Sequence, residues 1–133
     1  IQFDFKLQIA TPVGYEANAE LVAEAGSRLN ISNDPILAAS GADLVTTDVF
    51  SSMGQEAEQE ERLKHFAGFQ VDHTLMAHAA DNALFMHCLP AHRGEEVSAE
   101  LMEDEKISVV WDEAENRLHA QKALMVFLLR INS

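Results

Sequence analysis

Short runs of apolar and β-branched residues alternate along this chain with stretches whose apolar positions recur every three or four residues. Phe5-Lys6-Leu7-Gln8-Ile9-Ala10 alternates apolar with polar or small residues and stops at Thr11-Pro12, a strand with its exit turn. A helix starts near Asn18, runs through Leu21, Val22 and Ala25, and closes at Gly26, which suits the position just past a helix end. Leu29–Ser32 forms a short second strand, and Asp34-Pro35 opens a helix that continues through Ile36, Leu37 and Ala39 to Gly41. Leu44–Thr47 is a β-branched strand with Asp48 at its carboxyl end and the loop Ser51-Ser52-Met53-Gly54 beyond. Residues 56–66 form a polar helix with Leu63 and Phe66 inward, closed by Gly68; Asp72 caps a short helix through Leu75, Met76 and Ala79.

The second half of the chain reads in the same way. Residues 83–88 are a buried strand between the turn-prone Asp81-Asn82 and Pro90. Ser98 starts a helix with acids in its first turns, residues 107–111 form another strand, and residues 113–130 form the longest helix. That last helix is apolar on more than one face (Leu118, Leu124, Met125, Phe127) and therefore needs a broad partner. Strands alternating with helices imply an α/β fold: a Rossmann-like parallel sheet flanked by helices on both faces.

Composition narrows the function classes. At 133 residues with 47% hydrophobic content the chain fits one domain that buries a core. No apolar run reaches membrane-span length and no signal-peptide pattern opens the sequence. The single cysteine forms no internal disulfide, which suits a reducing cytoplasm. Nine Lys and Arg stand against 22 Asp and Glu, a net charge of −13 that repels nucleic acid and anionic membranes. The chain has neither a Walker A motif nor Gly-x-Gly-x-x-Gly, so nothing points to a nucleotide.

The chemistry gathers around Phe85-Met86-His87-Cys88-Leu89-Pro90, where a strand ends in a histidine, the only cysteine and a Leu-Pro dipeptide. Polar side chains at the carboxyl end of such a strand lie where open α/β sheets place their ligands. Pro90 ends the ladder, and a cis Leu89–Pro90 peptide would aim Cys88 and the Leu89 carbonyl into a crevice. Cys88 has four readings: small buried hydrophobe, nucleophile, metal ligand or polar contact. Neighbouring strand side chains point to opposite faces, so His87 is badly placed to act as its base. The histidines His73, His78, His87 and His92 with Cys88 match no tight zinc spacing, so no metal is expected. Asp48 suits a ligand ammonium, while Ser52 and the Met53-Gly54 backbone suit a carboxylate, together an amino-acid handle; Asp48 as a turn cap is the plainer alternative. Arg117 either pairs with solvated glutamates or reaches a polar carbonyl in the crevice.

His87-Cys88-Leu89-Pro90 followed by Ala-His-Arg-Gly-Glu-Glu-Val resembles the carboxyl-terminal half of ornithine carbamoyltransferases. Residues Thr47-Asp48-Val49-Phe50-Ser51-Ser52-Met53-Gly54-Gln55-Glu56 and Trp111-Asp112-Glu113-Ala114-Glu115-Asn116-Arg117 resemble the same family, in the same order. The resemblance implies transfer of the carbamoyl group of carbamoyl phosphate to the side-chain amine of L-ornithine, giving citrulline and phosphate, without cofactor. Asp48, Ser52 and the Met53 backbone would hold the α-amino and α-carboxylate groups. Cys88 and the Leu89 carbonyl would meet the reacting end, and Arg117 would bind the carbamoyl oxygen. The Ser52-Met53-Gly54 loop would close as a lid.

The family's carbamoyl-phosphate motifs, a Ser-x-Arg-Thr segment and a His-x-x-Gln pair, do not occur in these residues. The resemblance also implies that the opening strand and helix of the ornithine domain are missing, which leaves a gap between the strand at residues 5–10 and Leu44–Thr47. The expectation is one ornithine-binding domain, residues 1–133, that is inactive alone and associates with copies of itself. The alternative is a non-enzymatic fragment that keeps an amino-acid pocket or an assembly role.

Overall fold

The structure is a computed structural model in which residues 4–51 and 56–131 are described. Its order is β1 (Leu7–Ala10), α1 (Ala19–Ala25), β2 (Leu29–Ser32), α2 (Pro35–Ala39), β3 (Leu44–Thr47), α3 (Glu56–His65), α4 (His73–Met76), β4 (Leu84–His87), α5 (Ala99–Met102) and α6 (Val110–Ile131). Short parallel strands flanked by helices make this an α/β fold.

Helix starts follow local chemistry. The side chains of Asn18, Asp34, Asp72 and Ser98 accept from the first free backbone N–H groups of α1, α2, α4 and α5. Pro35 occupies the first turn of α2, where its missing N–H costs nothing. Gly26 ends α1 at φ 58°, a left-handed conformation that a Cβ would disfavour.

The strands form two separate two-stranded parallel ladders in place of one continuous sheet. β1 pairs with β2, Leu7 opposite Leu29 through Ala10 opposite Ser32; β3 pairs with β4, Leu44 opposite Leu84 through Thr47 opposite His87. Among the described residues no ladder joins β1 to β3. α2 bridges the two ladders, packing on β1 and β2 and against α4; beyond these helices Gly41 N–H donates to His78 O and Ala80 N–H to Ala42 O, both at 3.0 Å.

The expected strand at residues 107–111 is a correction. Phe85 N–H donates to Ile107 O and Val109 N–H to Phe85 O, both at 2.9 Å, so the segment makes a single parallel bridge at Ser108. α6 then takes over at Val110, three residues earlier than the sequence pattern suggests. Asp112 and Glu113 in its first turn complement the positive end of the helix, and Glu113 N–H donates to Val109 O.

The core lies on one side of the molecule. Val71, Met76, Phe85, Val97, Leu101, Met102 and Val110 pack together around β4, with Ala83 beside them. α1 buries no residue, and its Leu21 is 64% exposed. Burial of apolar area dominates stability, so the β4 side carries most of it. Leu101→Ala, which removes a fully buried side chain, is expected to cost about 2–5 kcal/mol. Leu21→Ala should change stability by only about 0.5 kcal/mol. Urea unfolding of both variants, followed by circular dichroism, checks the contrast.

Candidate functional site

The β3–β4 register builds the site. Thr47 lies opposite His87, so the next residue of each strand, Asp48 and Cys88, leaves the ladder side by side at the carboxyl edge. Strand alternation sends His87 into the core and Cys88 outward; His87 is fully buried and Cys88 exposed. The Leu89–Pro90 peptide is cis, and Leu89 adopts φ 53°.

The electrostatics at this edge are anionic. Partial removal from water holds the Cys88 thiol above its ordinary range, reinforced by its hydrogen bond to the Asp48 carboxylate and by the negative charges of Asp48 and Glu113. The same carboxylate of Asp48 accepts from Val49 N–H at 2.8 Å, which fixes its direction. Glu113 was not expected here. It reaches the site from the first turn of α6, and its Oε2 is buried without a hydrogen-bond partner among the described residues. Arg117 is exposed one helical turn further along the same face of α6, the direction from which Glu113 acts on Cys88.

A cleft of about 330 Å³ opens beside Asp48, between the ends of β1 and β3. It is lined by Ala10, Thr47, Asp48, Phe50, Arg62 and Phe69, among others. Arg62 is half-buried; it donates to Phe50 O at 3.4 Å and lies 5.6 Å from the centre of the Tyr15 ring. A larger cavity of about 870 Å³ runs along α3 and α4 over Leu63, Phe66 and Leu75. It includes none of the strand-end residues, and the Asp34 and Asp72 carboxylates on its wall are occupied as helix caps.

Asp48, Cys88 and Leu89 are thus brought together, with Arg117 on the adjoining helix. Ser52 and Met53 lie outside the described residues. Behind the strand ends sits a pair that the sequence reading missed. Leu89 N–H donates to His87 Nδ1 at 3.0 Å, which places the ring proton on Nε2, and Nε2 lies 3.1 Å from Glu96 Oε1. Glu96 belongs to the block after Pro90 that carries the family resemblance, but nothing local to it points to a partner in the core.

Residues 1–128 match the family described as aspartate/ornithine carbamoyltransferase, Asp/Orn binding domain. The chain belongs to this family. The ornithine carbamoyltransferase of Chromohalobacter salexigens is 62% identical over 128 residues, covering 96% of this chain and 42% of that protein. The anabolic ornithine carbamoyltransferase of Pseudomonas aeruginosa is 57% identical over 129 residues, with 97% and 42% covered. Among solved structures, the ornithine carbamoyltransferase from Burkholderia thailandensis has a TM-score of 0.81 at 54% identity, covering 95% of this chain and 39% of that one. The enzyme from Pyrococcus furiosus has a TM-score of 0.80 at 49% identity, with 91% and 41% covered. The chain therefore spans well under half the length of these relatives.

The raised thiol generates a pH prediction. Alkylation of Cys88 by iodoacetamide follows the thiolate, so its rate should inflect above the ordinary thiol range. Asp48→Asn removes a neighbouring negative charge and should move the inflection down towards that range. A pH–rate profile of the two proteins measures it directly, because Cys88 is the only cysteine.

Proposed function

We propose that this chain is the ornithine-binding part of an ornithine carbamoyltransferase, supplying the amino-acid half of the site for carbamoyl transfer. The observation that carries the reading is the meeting of Asp48 and Cys88 at the carboxyl edge of two parallel strands, beside a cleft. Asp48 takes the α-ammonium group, and Ser52 with the Met53 backbone takes the α-carboxylate. Cys88 and the Leu89 carbonyl receive the side-chain amine where it meets the carbamoyl group. Arg117 holds the carbamoyl oxygen and stabilises the charge that develops there in the transition state. The chemistry is alignment of an amine with an activated carbonyl, which needs no cofactor. Carbamoyl phosphate is held by groups outside residues 1–133, so these residues alone should form no citrulline from carbamoyl phosphate and ornithine in a colorimetric assay.

Two further points belong to this reading. No helix among the described residues is long and apolar enough to cross a membrane, and we place the protein in the cytoplasm, where a lone thiol stays reduced. α6 exposes Leu118, Leu124, Met125 and Phe127, and we take association between copies as the means of covering apolar surface. Light scattering at micromolar concentration should then give a mass above 14.7 kDa.

Calorimetric titration tests the amino-acid site itself. L-ornithine and L-norvaline, which lacks the terminal amine, should both bind saturably. Asp48→Ala should weaken both by roughly tenfold or more, because a hydrogen bond to a charged group is lost. No heat from either ligand at millimolar concentration would overturn the ornithine reading and leave the fragment with an assembly role.

A further inference from the structure

We propose that the buried His87–Glu96 pair is a positioning unit that locks the turn from which Cys88 and Leu89 project into the site. The proposal rests on the ornithine reading for its purpose, but its geometry stands apart from any ligand. The turn at residues 87–89 is closed by one bond, Leu89 N–H to His87 Nδ1 at 3.0 Å, which encircles Cys88. Leu89 needs that bond: its φ of 53° lies in the left-handed region, which a branched side chain disfavours. The imidazole can hold the N–H only while its own plane is fixed, and it is fixed from the far side by Glu96 Oε1 at 3.1 Å.

Glu96 Oε1 also accepts the His92 backbone N–H at 2.6 Å. One carboxylate oxygen thereby ties both ends of the segment from 87 to 92, the strand end and the chain that follows Pro90. Both side chains are fully buried. Glu96 Oε2 is buried with no hydrogen-bond partner among the described residues. A buried polar pair with an idle oxygen is a poor device for stability, since apolar residues of similar volume do as well or better. What apolar residues cannot do is accept the Leu89 N–H.

This arrangement also separates the pair from a thiol–imidazole dyad. His87 has both nitrogens engaged within the core side of the turn, whereas the groups that face Cys88 are Asp48 from the end of β3 and Glu113 from α6. His87 therefore acts through the backbone, as a positioning residue.

The test uses two near-isosteric variants of the whole chain and the pH–rate profile of Cys88 alkylation. In His87→Asn the side-chain oxygen stands near the place of Nδ1 and still accepts the Leu89 N–H; in His87→Gln the amide stands near Nε2 and keeps the Glu96 contact only. A locked turn keeps Cys88 against Asp48, so His87→Asn should retain the raised inflection and His87→Gln should lose it. Such a fall raises the thiolate fraction at pH 7, and the alkylation rate rises with it by about threefold for each tenfold gain in thiol acidity. A residue that merely fills the core would move both variants together, and identical profiles for the two, or a parent-like profile for His87→Gln, would overturn the proposal. Should both variants fail to fold, the apolar double variant His87→Phe with Glu96→Leu decides. An ordinary thiol inflection in a folded double variant supports the positioning role, and a parent-like inflection overturns it. Alkylation needs no amino acid: absent ornithine binding by the parent chain would sink the functional reading and leave this result standing, and the reverse holds for an unchanged thiol profile.

Discussion

Pairing of Leu44–Thr47 with Leu84–His87 is the constraint on which the rest of the site depends. Parallel strands with a side-chain period of two leave little freedom once one residue pair is set. With Thr47 opposite His87, the histidine enters the core, Asp48 and Cys88 emerge together, and the turn beyond must begin at Leu89. A slip of one residue would bury Cys88 and expose His87. The burial of Phe85 between Val71, Val97, Leu101 and Val110 opposes such a slip, because that same slip would carry its ring into water.

The uneven core fits this role. Apolar packing is concentrated where β4 meets α4, α5 and the first turn of α6, directly beneath the strand end that carries His87 and Cys88. β1, α1 and β2 form a lightly packed layer with exposed Leu7 and Leu21. The chemically demanding residues therefore stand on the stiffest part of the chain, and positioned polar groups are useful in proportion to the rigidity beneath them.

Much of this was legible in the sequence wherever the signal is local. Asn18, Asp34, Asp72 and Ser98 announce their helices because a cap needs only its own next three residues. The strand at residues 107–111 was misread because a short β-branched run says nothing about where its backbone bonds go. Here one bridge to Phe85 suffices, and acids at Asp112 and Glu113 draw Val110 and Trp111 into helix. Asp48, Cys88 and Leu89 stood out because each ends a recognisable strand, whereas Glu96 carries no local sign of its partner. A glutamate amid His-Arg-Gly-Glu-Glu reads as solvated, and only the fold brings it to His87. Glu113 was hidden for a similar reason: its place in the site depends on where α6 starts.

The state of Cys88 also bears on how such a site could run its reaction. An acidic edge at Asp48 and Glu113 would draw in the proposed ligand with its two ammonium groups, but the same field would oppose loss of the proton that the attacking amine must shed. A thiolate at Cys88 would deepen that conflict by adding a third negative charge. Partial removal from water and the nearby Asp48 carboxylate hold the Cys88 thiol above its ordinary range, so in the proposed site Cys88 would meet the amine as a neutral group. Asp48 meanwhile also accepts the Val49 N–H at 2.8 Å, which fixes its direction. In the proposed site Arg117, one turn beyond Glu113, would supply the countervailing positive charge. On this reading binding and proton loss would fall to different charges, and the turn closed by His87 would set the distance between them.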